Sequence, residues 1–171
     1  PRRAGAPAKI DEYSHTRLEL LRNHDRWLGD YYIDTGDPSG RNRNPADRTW
    51  YLDAGRGCSV NCAYCGGGRA AHRALSGRRT VSARSPQSLF RDMAALNKDH
   101  GVRSFYLCFD PPGMKKNHYP ELFSLVSAKM RVSMFFEHYS GTPDAAFLES
   151  FAAAFTRGVK TQLAFSPTAF T

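Results

Sequence analysis

Three cysteines stand in one short segment, Ala54-Gly55-Arg56-Gly57-Cys58-Ser59-Val60-Asn61-Cys62-Ala63-Tyr64-Cys65-Gly66-Gly67-Gly68, at the spacing C-x3-C-x2-C. A fourth, Cys108, stands alone inside an apolar run, where it reads as a small buried apolar residue. Three thiols this close together do not all pair with one distant cysteine, so the pattern predicts reduced sulfurs and a metal site rather than a disulfide framework. Three thiolates on one loop can bind three irons of a cubane cluster and leave the fourth iron open to another ligand. Zinc is the alternative. Structural zinc takes four closed ligands, usually in paired C-x2-C units, and the fourth would have to come from Cys108, His72, His100 or His118. The glycines on both sides let the backbone fold tightly and approach a ligand.

A second chemical signal surrounds the first. Residues 54–91 hold seven arginines (Arg56, Arg69, Arg73, Arg78, Arg79, Arg84 and Arg91) and no Asp or Glu. Such a stretch either lies in solvent as a basic loop or holds phosphate, carboxylate or nucleic acid.

These residues need a scaffold, and the periodicities describe one. Residues 1–9 read as an irregular lead-in. Residues 10–28 read as a helix with apolar Leu18, Leu21, Trp27 and Leu28, and residues 34–48 as a loop. From Thr49 a regular alternation begins. Strands are predicted over 49–54, 103–109, 131–136 and 160–165. Helices are predicted from the Ser85 cap with Pro86 at the first position, over 119–130, and over 144–157 with Phe147, Leu148, Phe151 and Phe155 inward. Both tryptophans, Trp27 and Trp50, are expected to be packing residues. Strands alternating with helices imply an α/β fold with a parallel sheet and right-handed crossovers. Sites in such folds gather at the carboxyl ends of the strands. Each predicted strand is followed there by a polar residue: Cys58, Asp110, Glu137 and Ser166 in turn. Polar residues often end strands, but their phase beside a cysteine cluster favours a site. His138 and Tyr139, next to Glu137, are either substrate contacts or ordinary loop residues.

The cysteine segment resembles the radical S-adenosylmethionine superfamily, whose signature is C-x3-C-x-aromatic-C after the first strand of a partial (β/α) barrel. Tyr64 fills the aromatic place. The wider phrase from Gly55 to Gly67 is similar to the branch that carries an N-terminal cobalamin-binding domain. Arg84-Ser85-Pro86 and Ser166-Pro167 are weaker matches to that branch. The resemblance covers about residues 49–171, with 1–48 as a helix and loop linker. It implies a radical S-adenosylmethionine core of about four βα units, C-terminally incomplete where the family has about six.

The resemblance further implies that Cys58, Cys62 and Cys65 ligate a 4Fe–4S cluster whose open iron chelates S-adenosylmethionine. One electron then cleaves the sulfonium to methionine and a 5′-deoxyadenosyl radical, which abstracts hydrogen from a small-molecule or other organic substrate. Tyr64 and Gly66 would lie along the adenine. Glu137 and Ser166 would meet the ribose and methionine portions. Asp110 stands where the family holds the methionine amino group with a Gly-Gly-Glu-like segment, and Phe109-Asp110-Pro111-Pro112 departs from that segment. Ser166-Pro167-Thr168-Ala169 likewise departs from the branch's Ser-Pro-Glu-Ser. The implied partners include an electron donor such as flavodoxin or ferredoxin. Cobalamin would be held by a domain outside this chain, which lacks the Asp-x-His-x-x-Gly signature; methyl transfer is then the alternative outcome. No residue is assigned an acid–base or radical-relay role.

Composition limits the remaining classes. The 171 residues are 41% hydrophobic and 23% charged, ordinary for a folded domain with its own core. No apolar run reaches the ~18–20 residues that span a bilayer, and no apolar region follows the basic N-terminal residues as in a secretory signal. A cytoplasmic protein without membrane contact is expected. The net charge of +8 leaves nucleic acid as a partner class, but the sequence holds no recognised nucleic-acid-binding motif to support it.

Overall fold

The computed structural model describes residues 9–30, 48–62, 65–107, 117–139, 142–155 and 161–165. In chain order their elements are α1 (His24–Asp30), β1 (Arg48–Leu52), β2 (Gly55–Arg56), α2 (Arg69–Ser76), β3 (Ser82–Ala83), α3 (Pro86–His100), β4 (Val102–Leu107), α4 (His118–Lys129), β5 (Ser133–His138), α5 (Ala145–Ala154) and β6 (Gln162–Phe165). Short 3-10 turns lie at Ile10–Glu12 and Leu18–Leu20.

Two of the helices, α3 and α5, start where a side chain supplies a cap. Pro86 opens α3, and the Ser85 side chain accepts from the Ser88 N–H at 3.2 Å. Asp144 does the same for α5, accepting from the Phe147 N–H at 2.9 Å. Runs of aromatic and branched residues form the strands between them.

β1, β4, β5 and β6 make one parallel sheet in that order, so the strands lie side by side in the order of the chain. Right-handed crossovers in sequential order put successive helices on one face. Accordingly α3 packs on α4 and α4 on α5. The chain is α/β with a one-way parallel sheet, an arrangement compatible with a segment of a (β/α) barrel.

The two faces of this sheet differ. Leu52, Phe105, Leu107, Met134 and Phe136 are at most 2% exposed and meet Leu89, Met93, Leu122, Phe123 and Val126 of the helices. Phe136 lies edge-on to Tyr119, Phe123, Phe147 and Phe151, with ring centroids 4.7–6.3 Å apart. Each such side chain contributes about 1.5–3 kcal/mol by leaving water. The other face carries Thr49, Tyr51, Ser104, Tyr106, Ser133, Phe135 and Glu137, a polar and aromatic set.

The structure corrects several boundaries. Residues 10–28 are not one helix. Their backbone and side chains bond to α3 instead: Asp11 Oδ1 accepts from the Ser85 N–H at 2.7 Å, Arg91 donates to the Asp11 carbonyl, and His100 meets the Thr16 carbonyl at 3.1 Å. Once the segment's polar groups are satisfied there, nothing favours a continuous helix. Leu18 and Leu28 are buried, but Leu21 is 46% and Trp27 53% exposed, so Trp27 is not a core residue; Trp50 does pack on the core. In α5, Phe147, Phe151 and Ala154 share the inward face at spacings of four and three, which turns Leu148 outward. The predicted strand 131–136 lies two residues later, so Glu137 is inside β5 rather than beyond it. The helix α2 lies where the sequence pattern predicts no element.

The segment 10–28 docks beside a buried ion pair of the body. Arg84 and Asp92, 1% and 3% exposed, meet at 2.6 Å, and Arg84 also donates to the Ser88 hydroxyl at 2.8 Å. The His15 N–H reaches the same Asp92 carboxylate at 3.4 Å. Burial pushes the Asp11 carboxyl up. The Ser85 N–H, the Ser85 and Ser88 hydroxyls and the Arg84 charge outweigh that and hold it below its ordinary value.

Candidate functional site

The cysteine loop leaves and rejoins the body at one point. Three residues past the end of β1, Gly55 and then Arg56 pair antiparallel with Ala83 and Ser82, and the Arg84 N–H donates to the Ala54 carbonyl at 2.9 Å. Residues 57–81 form an excursion pinned at its neck by this short ladder. Gly57 makes the turn out, at φ 96°; a Cβ there would lie 2.9 Å from the Thr80 carbonyl oxygen and 3.3 Å from the Val81 Cα. Only glycine fits both the conformation and the space.

Within the excursion the backbone knits the loop to α2. The Arg69 N–H donates to the Val60 carbonyl at 2.9 Å, and the Ala70 N–H to Asn61 Oδ1 at 3.2 Å. The Cys65 N–H donates to the Cys62 carbonyl at 3.2 Å, and the Gly67 N–H to the Cys65 sulfur at 3.4 Å. Cys58 and Cys62 are half-buried, Cys65 is exposed, and all three are free thiols. Among the described residues, no three His, Cys, Asp or Glu side chains come together as a set that could hold a metal ion. The three sulfurs share a loop but do not meet at one centre.

The donor set nonetheless fits an iron–sulfur cluster in kind. It offers three soft sulfurs, one already receiving an N–H of the sort that tunes such clusters, and no carboxylate anywhere in residues 54–91. Holding a cluster would require the loop to tighten and gather the sulfurs. Among the described residues, a Cβ on Gly66 would meet nothing within 4 Å.

Glu137 is positioned by two phenols. Tyr106 on the neighbouring strand donates to its Oε1 at 2.6 Å, and Tyr139 donates to its Oε2 at 2.6 Å. Tyr106 is itself held between Tyr51 and Phe135, with ring centroids 5.1 and 4.7 Å away. The result is a fixed carboxylate on the polar face of the sheet, near the carboxyl end of β5. Sequence reasoning missed Tyr106. The signal was its alternation with Phe105 and Leu107, which turns the one polar-tipped ring of that run away from the helices. Tyr139 joins Glu137, whereas His138 is 8% exposed and packs against Phe136 and Phe147 on the helix side, at 5.9 and 5.1 Å. Tyr64, Asp110 and Ser166, with Cys108, lie outside the described residues.

The seven arginines separate into two groups. Arg84 is buried against Asp92. Arg56 pairs with Asp53 at 3.5 Å, Arg91 with Asp92 at 3.8 Å, and Arg78 donates to the Ser82 hydroxyl at 3.3 Å. Arg69, Arg73 and Arg79 remain exposed, with no side-chain partner among the described residues. Together with Asn61, Ala70 and Ala74 they line an open hollow of about 630 Å³ beside the cysteine loop. No described helix is long and apolar enough to cross a membrane. Set against known proteins, the chain matches no family model, no curated protein and no solved structure.

Proposed function

We propose that the chain is part of a radical S-adenosylmethionine enzyme. The observation that carries this reading is the set of three free thiols at C-x3-C-x2-C spacing, on the loop that follows the first strand of a one-way parallel sheet. Cys58, Cys62 and Cys65 would each supply one sulfur to a 4Fe–4S cluster. Bound there, the reduced cluster would supply the electron that cleaves S-adenosylmethionine. The Gly67 N–H would stabilise thiolate charge on Cys65. Glu137, held at both oxygens by tyrosine hydroxyls, would present a fixed acceptor to the ribose hydroxyls. Tyr64, Gly66, Asp110 and Ser166 take the roles that the resemblance implies for them. The outcome is hydrogen abstraction from an organic substrate or, with cobalamin bound by another domain, methyl transfer.

Oxygen-free reconstitution tests the reading. About four irons and four sulfides should bind per chain. Replacing Cys58, Cys62 or Cys65 by Ala should abolish cluster binding, and Cys108→Ala should preserve it. S-adenosylmethionine should then change the electron paramagnetic resonance spectrum of the reduced cluster. Stoichiometric zinc in place of iron, or equal loss in Cys108→Ala, would overturn the assignment.

A further inference from the structure

We infer that the hollow on α2 binds the phosphate groups of a small polyphosphorylated ligand, beside the cysteine loop and independently of it. Arg69 and Arg73 are one turn apart, so they project from the same side of α2. The chain then turns at Gly77, which caps the helix in the left-handed conformation, and returns Arg79 to the same hollow. Three guanidiniums around one space repel each other, and no carboxylate among the described residues pairs with any of them. An anion would remove that repulsion.

The rest of the lining agrees in sign. The Asn61 carbonyl oxygen is taken by the Ala70 N–H, so what Asn61 offers a ligand is its amide nitrogen, a donor. Ala70 and Ala74 are too short to fill the floor, which leaves the guanidiniums accessible. The lining's polar side chains thus offer donors and no charged acceptor. Planar guanidinium forks match phosphate oxygens in pairs. The four other arginines of the stretch are already engaged, so the positive charge is concentrated here rather than spread along the segment. A compact di- or triphosphate fits a space of about 630 Å³ between three arginines better than an extended nucleic-acid backbone does.

The test is calorimetric titration of the full chain with inorganic tripolyphosphate at low and at physiological salt. One saturable site is expected, weakening as salt rises. Arg69→Gln with Arg73→Gln should raise the dissociation constant at least about tenfold, the loss of charge-assisted contacts to phosphate. Arg103→Gln, an exposed arginine of β4, should leave it within about twofold. Cys65→Ala, which cannot complete the proposed cluster, should bind tripolyphosphate as the natural chain does, so failure of the cluster reading leaves this result standing. Unsaturable binding, or equal weakening by Arg103→Gln, would show a diffuse basic surface and overturn the inference. So would a single-stranded RNA that outcompetes tripolyphosphate at equal phosphate concentration, because it would make the hollow part of a nucleic-acid track.

Discussion

The helical side of the sheet and the 57–81 excursion follow opposite rules. On the helical side, Phe123, Phe136, Leu107, Leu122 and Met134 are at most 1% exposed and belong to one apolar core. In the excursion, α2 buries none of its residues, and Leu75 on its apolar side is 87% exposed. One region stabilises itself by packing; the other is held by a two-residue ladder, one obligatory glycine and a few backbone hydrogen bonds. Both proposed sites lie where packing is thin, as expected if a loop that takes up a ligand cannot also be filled by its own side chains.

The contrast can be broken most directly by truncating one apolar residue in each region. Phe136→Ala should cost about 3–5 kcal/mol, because it removes the ring that four others pack against. Leu75→Ala should stay within about 0.5 kcal/mol. Urea unfolding followed by circular dichroism measures both; similar costs would mean that the excursion is packed after all.

A smaller effect tests the neck. Gly57→Ala forces a positive φ and a backbone clash, worth about 1–3 kcal/mol. The strain should be relieved by opening the excursion rather than by unfolding the sheet. Protease cleavage within 57–81 should therefore quicken by about five- to a hundredfold, while the global urea midpoint moves little. A matching loss of global stability would show that excursion and body unfold as one unit.

The smallest effect concerns the lead-in. The Asp11 carboxyl is held below its ordinary value near 3.8 by its bonds to Ser85 and Ser88, so its ionised form stabilises the fold. That contribution is fully present above the unfolded value and is lost as pH falls from there through the folded value. Asp11→Asn should cost about 1 kcal/mol at neutral pH and progressively less below about pH 4, where the natural chain loses the same contribution. Melting temperatures of both chains between pH 7 and pH 3 would show the curves converge; a gap that stays constant would remove the assignment.

Local chemistry alone determined a good part of this protein. The Ser85-Pro86 and Asp144 helix starts, the alternation of strand and helix from Thr49 onward and the free thiols of one short segment were all written in nearest-neighbour patterns. Tertiary structure decided the rest. Residues 10–28 carried a helical pattern, yet their polar groups found partners on α3, seventy or more positions away for Asp11. The short α2 carries Ala70, Ala71, Ala74 and Leu75 on one side, yet none of its residues is buried, so its apolar side is not part of the core that marks the other helices. Tyr106 and Glu137 lie on strands whose register is set by sheet pairing, which brings their side chains to 2.6 Å. Seven arginines looked alike in sequence, and folding divided them. Four met partners determined by distant backbone paths or by local loop geometry, and three were left facing one hollow. Pattern depends on neighbours along the chain, whereas partnership depends on neighbours in space, and only folding makes the second set known.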